Sequence, residues 1–318
     1  MKVIIVGSGE MLMNLIAGCK DFGCKIVGVL RAETQYMSKF RLFIKNKLNP
    51  SKDFTYIKSH KLHEIKTKSV NSDIFRKEIL KNNVDIVIAG TWGEKFEKEI
   101  IDLPKLCTIN VHPSLLPKYR GPNPYIEVIR NMETETGVSF HLMNEFYDRG
   151  AILLQKKVPI LENDTGKELK TRVTNTAREG IRELLEQLEN DIVIPIEQNE
   201  NQATYYKRIS EKDLLLDFNK SAKELAAQIR GLHPFAKSYF ANNSHFLVPN
   251  PYKLEIIENQ KGLNAGQVYE ADPEYRIISV VCKDGKVLRM KDVKLFGILR
   301  VITDLYIKLK IKVGKSLL

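Results

Sequence analysis

Four short runs constrain this chain more than anything else in it: KVIIVG (2–7), CKIVGVL (24–30), VDIVIAG (84–90) and LCTINV (106–111). Each is apolar almost throughout rather than alternating, the signature of a strand buried on both faces of a parallel sheet. Helical patterns stand between and after them. EMLMNLIAGCKDFG (10–23) is amphipathic and ends near glycine, SKFRLFIKNK suggests a short helix, and SDIFRKEILKNN (72–83) opens on a serine cap. YIEVIRNM (125–132) reads as helix, GVSFHLM and AILLQKKVPI as strands, and DTGKELKTRVTNTAREGIRELLEQLEN as one long helix. This alternation predicts an α/β fold: a mostly parallel, Rossmann-like sheet with helices on both faces.

After Asn190 the character changes. QNENQATYYKRIS is polar and irregular, SAKELAAQIRGL (221–232) reads as a helix, and short β-like runs follow, with a KDG turn at 283–285. The expected organisation is therefore a large domain over 1–190, a linker over 191–206, and a small, mainly β, barrel-like domain over 207–318. A chain of 318 residues has ample material for this. No run approaches the roughly 18 apolar residues of a membrane span, and no cleavable leader pattern opens the chain, so a cytoplasmic protein is expected. Cys19, Cys24, Cys107 and Cys282 fall at no metal-ligand spacing, and no metal is expected.

The net charge of +11 is unevenly spread: between Arg31 and Lys81 there are 13 Lys or Arg against 5 Asp or Glu. Two readings stand side by side, an anion-binding surface for tRNA, a nucleotide or a polyglutamyl tail, and a merely solvated lysine-rich insertion. Gly7-Ser8-Gly9 after the first run looks like part of a dinucleotide fingerprint, but Leu12 stands where its third glycine belongs. A tight strand-to-helix turn needs small residues whatever it binds, and the structural reading is preferred.

INVHPSLLPKYRGPNP (109–124) is the unusual stretch. Residues i and i+2 of a strand face one way, so Asn110 and His112 share a side at a carboxyl strand end, where open parallel sheets gather their ligands. Pro113 holds His112 extended, and the prolines stiffen a loop able to wall a pocket. Asp148, in the NEFYDRGAIL turn, is the expected third partner. Together they suit proton transfer by His, its orientation by Asp, and a neutral Asn donor to a developing oxyanion. Each residue alone could equally be a hydrogen-bonding cap.

NVHPSLLPKYRGPNP followed by ETGVSFHLMNEFYDRGAILLQ resembles the formyltransferase family that includes methionyl-tRNA formyltransferase, and ATYYKRISEKDLLLDFNKSAKELAAQIRGLHPFAKSYF resembles the start of its C-terminal domain. The resemblance implies that Asn110, His112 and Asp148 are catalytic and that 1–190 is the catalytic domain. It also implies 10-formyltetrahydrofolate as the formyl donor. Gly90 and Trp92 of AGTWGEKF (89–96), Ser114, Leu115 and Leu116 of the loop, and Tyr147 would then form its pocket.

The departures bear on the acceptor. Pro113 replaces a glycine usual in the tRNA enzymes, Gly90-Thr91-Trp92-Gly93 replaces an Ala-Tyr-Gly segment, and RAETQYMSKFRLFIKNKLNPSKD shares only basic character with their tRNA-associated loop. The leading expectation is an N-formyltransferase acting on a small primary amine such as a nucleotide-linked amino sugar. The alternative is a methionyl-tRNA formyltransferase, with Lys39, Arg41, Lys45 and Lys47 on phosphates; a third is a non-catalytic nucleic-acid binder of the same fold. Gly9, Lys39, Arg41 and Arg120 are the acceptor-binding candidates. No membrane partner is expected, and self-association is left open.

Overall fold

A computed structural model describes residues 1–242, 245–296 and 300–317, without the side chains of Lys39, Asn242, His245, Arg300 and Val301. The chain gathers into two compact units. The first comprises Met1–Pro124, Glu135–Pro159 and Lys170–Tyr206, and the second Tyr125–Thr134, Ile160–Leu169 and Lys207–Leu318.

The first unit is built on a six-stranded sheet of β1 (Lys2–Gly7), β2 (Lys25–Arg31), β3 (Ile86–Gly90), β4 (Cys107–His112), β5 (Glu135–Leu142) and β6 (Ile152–Pro159), in the order β2-β1-β3-β4-β5-β6. The first four pair in parallel and β5 and β6 run antiparallel, so the sheet is mostly parallel, as the apolar runs require. Helices cover both faces. Ile4, Val6, Val87 and Ala89 pack with Phe75 and Ile79 of α5 (Asp73–Asn82). On the opposite face, a Cβ at Gly90 would meet Leu15 and Met11 of α1 (Gly9–Phe22) at 2.7 and 2.8 Å. α1 leans in turn on α8 (Gly166–Glu189), where a Cβ at Gly18 would strike Arg178 O at 2.4 Å.

The helices begin where local chemistry allows. Ser72 Oγ accepts the Phe75 N–H at the start of α5, and Asn83 closes it in the left-handed region. Between β2 and α5 lie α2 (Glu33–Tyr36), α3 (Lys39–Leu48) and α4 (Lys52–Ser59), and α6 (Lys98–Ile101) precedes β4. The sequence pattern points to α3 but not to α4, whose single buried face is too short to register as a period. The Gly7-Ser8-Gly9 turn has a packing explanation: a Cβ at Gly7 would lie 2.1 Å from Gly90 O of the neighbouring strand.

The second unit contains α7 (Pro124–Arg130) from Tyr125 onward, α9 (Ala222–Leu232) and two antiparallel sheets. β7 (Phe240–Asn242), β8 (His245–Val248) and β13 (Lys294–Leu295) form one, and β9 (Leu254–Glu258), β10 (Val268–Asp272), β11 (Ile277–Val281) and β12 (Lys286–Met290) the other. The β-rich unit expected here is built from these two antiparallel sheets. Phe218, Leu225, Phe240, Leu247, Val280, Leu288 and Ile307 meet in its core. Ser221 and Glu224 close a capping box on α9. α10 (Arg300–Lys310), unforeseen from the sequence, supplies Ile307.

Candidate active site

Asn110 sits on β4 between two neighbours in register, Ala89 on β3 and His141 on β5. Its amide Nδ2 donates to His141 Nε2 at 3.0 Å and, at 3.4 Å, to Asp148 Oδ1. His112 Nδ1 lies 3.3 Å from the same carboxylate oxygen. The three residues chosen from the motifs therefore converge on one atom. His112 Nε2 faces Tyr119 O at 2.8 Å. A carbonyl oxygen only accepts, so Nε2 carries a hydrogen, and Nδ1 and Asp148 share whatever further proton is present. That pair is a place from which a proton can be given or taken.

Backbone geometry holds Asp148 in place. Its φ is +57°, a left-handed conformation uncommon outside glycine and frequent at functional sites. The Gly121 N–H donates to its Oδ2 at 3.0 Å. Gly150 must be glycine, because a Cβ there would lie 1.7 Å from Leu142 O. Gln198 Nε2 bonds the carbonyls of Asp148 and Gly150 at 2.9 and 2.8 Å. Arg120 grips Gln198 Oε1 at 2.7 Å and both carboxylate oxygens of Glu200, holding the Glu200 carboxyl below its ordinary range.

His141 was not among the expected residues, although it stands alone as a polar residue between Phe140 and Leu142. It is buried, and burial lowers its pKa to about 4 against the opposing pull of Asp148. It is therefore neutral at ordinary pH, with Nδ1–H donated to Leu142 O at 2.8 Å and Nε2 left to accept from Asn110. This fixes which way the Asn110 amide points. Gln198 is the second residue that sequence reasoning missed.

Asn110, His141 and Asp148 form the floor of a narrow slot of about 50 Å³, with walls from Ala89, Trp92, Phe96, Met143, Phe146 and Tyr147. The AGTWGEKF stretch and the Tyr147–Asp148 turn thus meet around the same space. Among the described residues, the buried Trp92 Nε1–H has no hydrogen-bond acceptor.

Other expected site residues lie elsewhere. His112 is buried behind the slot and does not line it. Gly90 owes its identity to α1 packing. Ser114 is fully buried and donates to Lys118 O, Leu116 donates its N–H to Ser139 Oγ, and Leu115 packs over Gly137. Leu115 and Leu116 thus hold the loop against β5, and the loop's own underside is buried. Of the acceptor candidates, Gly9 gives its N–H to Asp53, Arg120 is spent on Gln198 and Glu200, and Arg41 is exposed. The Lys39 side chain lies outside the described residues.

The formyl transferase model matches residues 1–185, and the model of the formyl transferase C-terminal domain matches residues 208–297. A methionyl-tRNA formyltransferase of Ehrlichia ruminantium is 32% identical over 241 residues, 76% of this chain and 77% of that protein. One from Thermotoga maritima is 29% identical over 244 residues, 76% of each chain. Among solved structures, an N-formyltransferase from Helicobacter canadensis, in complex with folinic acid and dTDP-3-aminofucose, aligns with a TM-score of 0.65 over 92% of this chain and 99% of its own. At 19% identity that likeness concerns the fold. With a matched model over more than half its length and a convergent Asn, His and Asp at the end of β4, this chain belongs to the formyl transferase family.

Proposed function

We propose that this enzyme moves the formyl group of 10-formyltetrahydrofolate to the primary amine of a small acceptor, a nucleotide-linked amino sugar, with Asn110, His112 and Asp148 as its catalytic residues. The observation that carries the chemistry is the meeting of Asn110, His112 and Asp148 on a single carboxylate oxygen. The amine nitrogen bonds to the formyl carbon and the carbonyl pair moves to oxygen. Asn110 meets that developing charge with an amide hydrogen, releasing its long 3.4 Å bond to Asp148 while His141 keeps the amide oriented. The Asp148–His112 pair takes the proton the amine sheds and returns it to the folate nitrogen as the bond from carbon to that nitrogen breaks. The products are a formamide and tetrahydrofolate. No nucleophilic side chain is required.

The slot's aromatic and apolar lining (Trp92, Phe96, Met143, Phe146 and Tyr147) and the unpaired indole N–H of Trp92 suit a heteroaromatic ring that presents acceptor atoms. At about 50 Å³ it is smaller than the roughly 300 Å³ or more of ordinary ligand pockets, so donor entry requires the exposed Phe146 and Tyr147 to swing outward. Two observations support a small acceptor: Arg120 is consumed inside the site, and the cationic Arg31 that opens the basic segment is buried among carboxylates. The sequence relatives favour a second reading, methionyl-tRNA formyltransferase. Incubation with 10-formyltetrahydrofolate and a panel of amino sugars, nucleotide-linked amino sugars and charged initiator tRNA decides between them. Formylation of the tRNA alone would reverse the acceptor assignment, and no transfer to any amine would reject the reaction.

A further inference from the structure

The basic segment encloses a second cavity, of about 740 Å³, that shares only the neighbourhood of the slot. Its walls are apolar, from Met37, Leu42, Phe43, Phe54 and Ile74. Four lysines from three elements surround it: Lys47 on α3, Lys58 on α4, and Lys66 and Lys68 on the extended run before α5. Lys66 and Lys68 alternate with the buried Ile65 and Thr67, so both point outward on one side. Among the described residues none of the four makes an ion pair. The one acidic lining residue, Glu64, is already committed to Arg31 Nε at 2.6 Å. Asn46 is a lining residue, and its Oδ1 atom is buried with no hydrogen-bond partner.

We propose that this cavity holds the nucleoside diphosphate of the acceptor, a base between the apolar walls and two phosphates on the lysines. This assignment rests on the small-amine reading above. The volume suits a ligand of that size. Four unpaired ammonium groups converging on one opening attract a compact multivalent anion. Asn46 separates a base from a plain acyl chain: turned toward the cavity, its amide oxygen would accept from a base edge, whereas a hydrocarbon would leave it unpaired.

Hydrogen bonds at Glu94 tie the slot's lining to segments that flank the cavity's. Glu94 lines the slot, and it accepts Gln35 Nε2 at 2.8 Å and the Val70 N–H at 3.1 Å. Gln35 follows Thr34 of the cavity wall, and Val70 lies two residues beyond Lys68.

Equilibrium binding to the full chain without folate tests this, using UDP, dTDP, inorganic pyrophosphate and decyl phosphate as probes. Nucleoside diphosphates are expected to bind best. Reversal of three exposed lysines (Lys58→Glu, Lys66→Glu, Lys68→Glu) should weaken them at least about tenfold. The same variant should raise KM for a nucleotide-linked amine while leaving kcat and donor binding unchanged. Asn46→Leu should weaken UDP or dTDP but not pyrophosphate. Absent nucleotide binding, binding indifferent to the triple variant, or a preference for decyl phosphate would each overturn the proposal. UDP binding that depends on these lysines in a protein that formylates no small amine would instead uphold the cavity and reject the acceptor reading. Transfer to a free amino sugar, with no nucleotide binding, would do the reverse.

Discussion

The carboxyl end of β4 and the segment between β2 and α5 are both crowded with polar side chains, yet they use them in opposite ways. At β4, Asn110, His112, His141 and Asp148 bond chiefly to each other and to backbone, so that a few uncharged contacts aim one carboxylate. In the basic segment the carboxylates are gathered inward: Glu33, Asp53 and Glu64 surround the fully buried Arg31, whose guanidinium also lies 4.9 Å over the Phe54 ring. Burial pushes the Asp53 carboxyl up, but hydrogen bonds from Ser51 and the Gly9 N–H, with the charge of Arg31, hold it below its ordinary range. The lysines left outside are consequently unbalanced. A count of charges describes an excess, whereas only their pairing shows which charges are free to meet a ligand.

The largest effect that would separate the two regions is on stability. Arg31→Met should leave three carboxylates without their buried cation and cost about 3–5 kcal/mol, the scale of a broken buried ion pair. Urea denaturation of the variant would show it, and an unchanged midpoint would mean that the cluster is not an architectural centre. At β4 the loss should be kinetic instead. Asp148→Ala or His112→Ala should lower turnover at least about a hundredfold, the usual contribution of acid–base catalysis, with circular dichroism unchanged. Near-normal rates in both would dissolve the contrast.

A third test sharpens it through pH. His141 is held neutral in the fold, with its pKa lowered to about 4, while an unfolded histidine titrates near 6.5. Between those values the unfolded chain binds the extra proton, so this contribution to stability is full above about pH 6.5 and declines as pH falls toward 4, by up to roughly 1.4 kcal/mol per unit. His141→Leu should flatten that part of a stability–pH curve, and an identical slope in wild type and variant would show that the buried imidazole is not its source. The smallest effect belongs to the outer charges. Neutralising Arg41, which is exposed and lines neither cavity, should change folate binding and small-amine turnover by less than about twofold, since exposed charges contribute little. Submicromolar binding of initiator tRNA near physiological salt, lost in this variant, would return the segment to phosphate recognition.

The regions also differ in how much of them could be read in advance. β1 to β4 were legible because burial on both faces keeps their runs apolar almost throughout. Asn110 and Asp148 were legible through a motif whose resemblance linked two distant stretches. His141 and Gln198 were not, since their meaning depends on strand register and on a bond formed 50 residues along the chain. Leu115 and Leu116 were ambiguous for a related reason: an apolar loop looks the same whether it covers a ligand or its own sheet. Arg31 could be counted as positive charge but not recognised as buried, because its three acids lie 2, 22 and 33 residues ahead in the sequence.

The run from Gln198 to Tyr206 reads as a tether, but it is laid along the loop that carries Tyr119 to Gly121. Tyr119 donates its N–H to Thr204 Oγ1, the Arg120 N–H donates to Thr204 O and the Tyr206 N–H to Arg120 O, and the Tyr119 and Tyr206 rings stack at 5.2 Å. Any shuffling of modules in this family would therefore find an uneven seam here. An inserted sequence at 191–197, where Ile192, Ile194 and Ile196 are exposed, leaves every one of these bonds intact. One placed between Gln198 and Tyr206 interrupts the run that braces this loop, whose Arg120 and Gly121 bond Gln198 and Asp148. Chimeras joined at the two places should differ in catalysis far more than in folding, and the viable joint is the one that keeps residues 198–206 with the catalytic sheet.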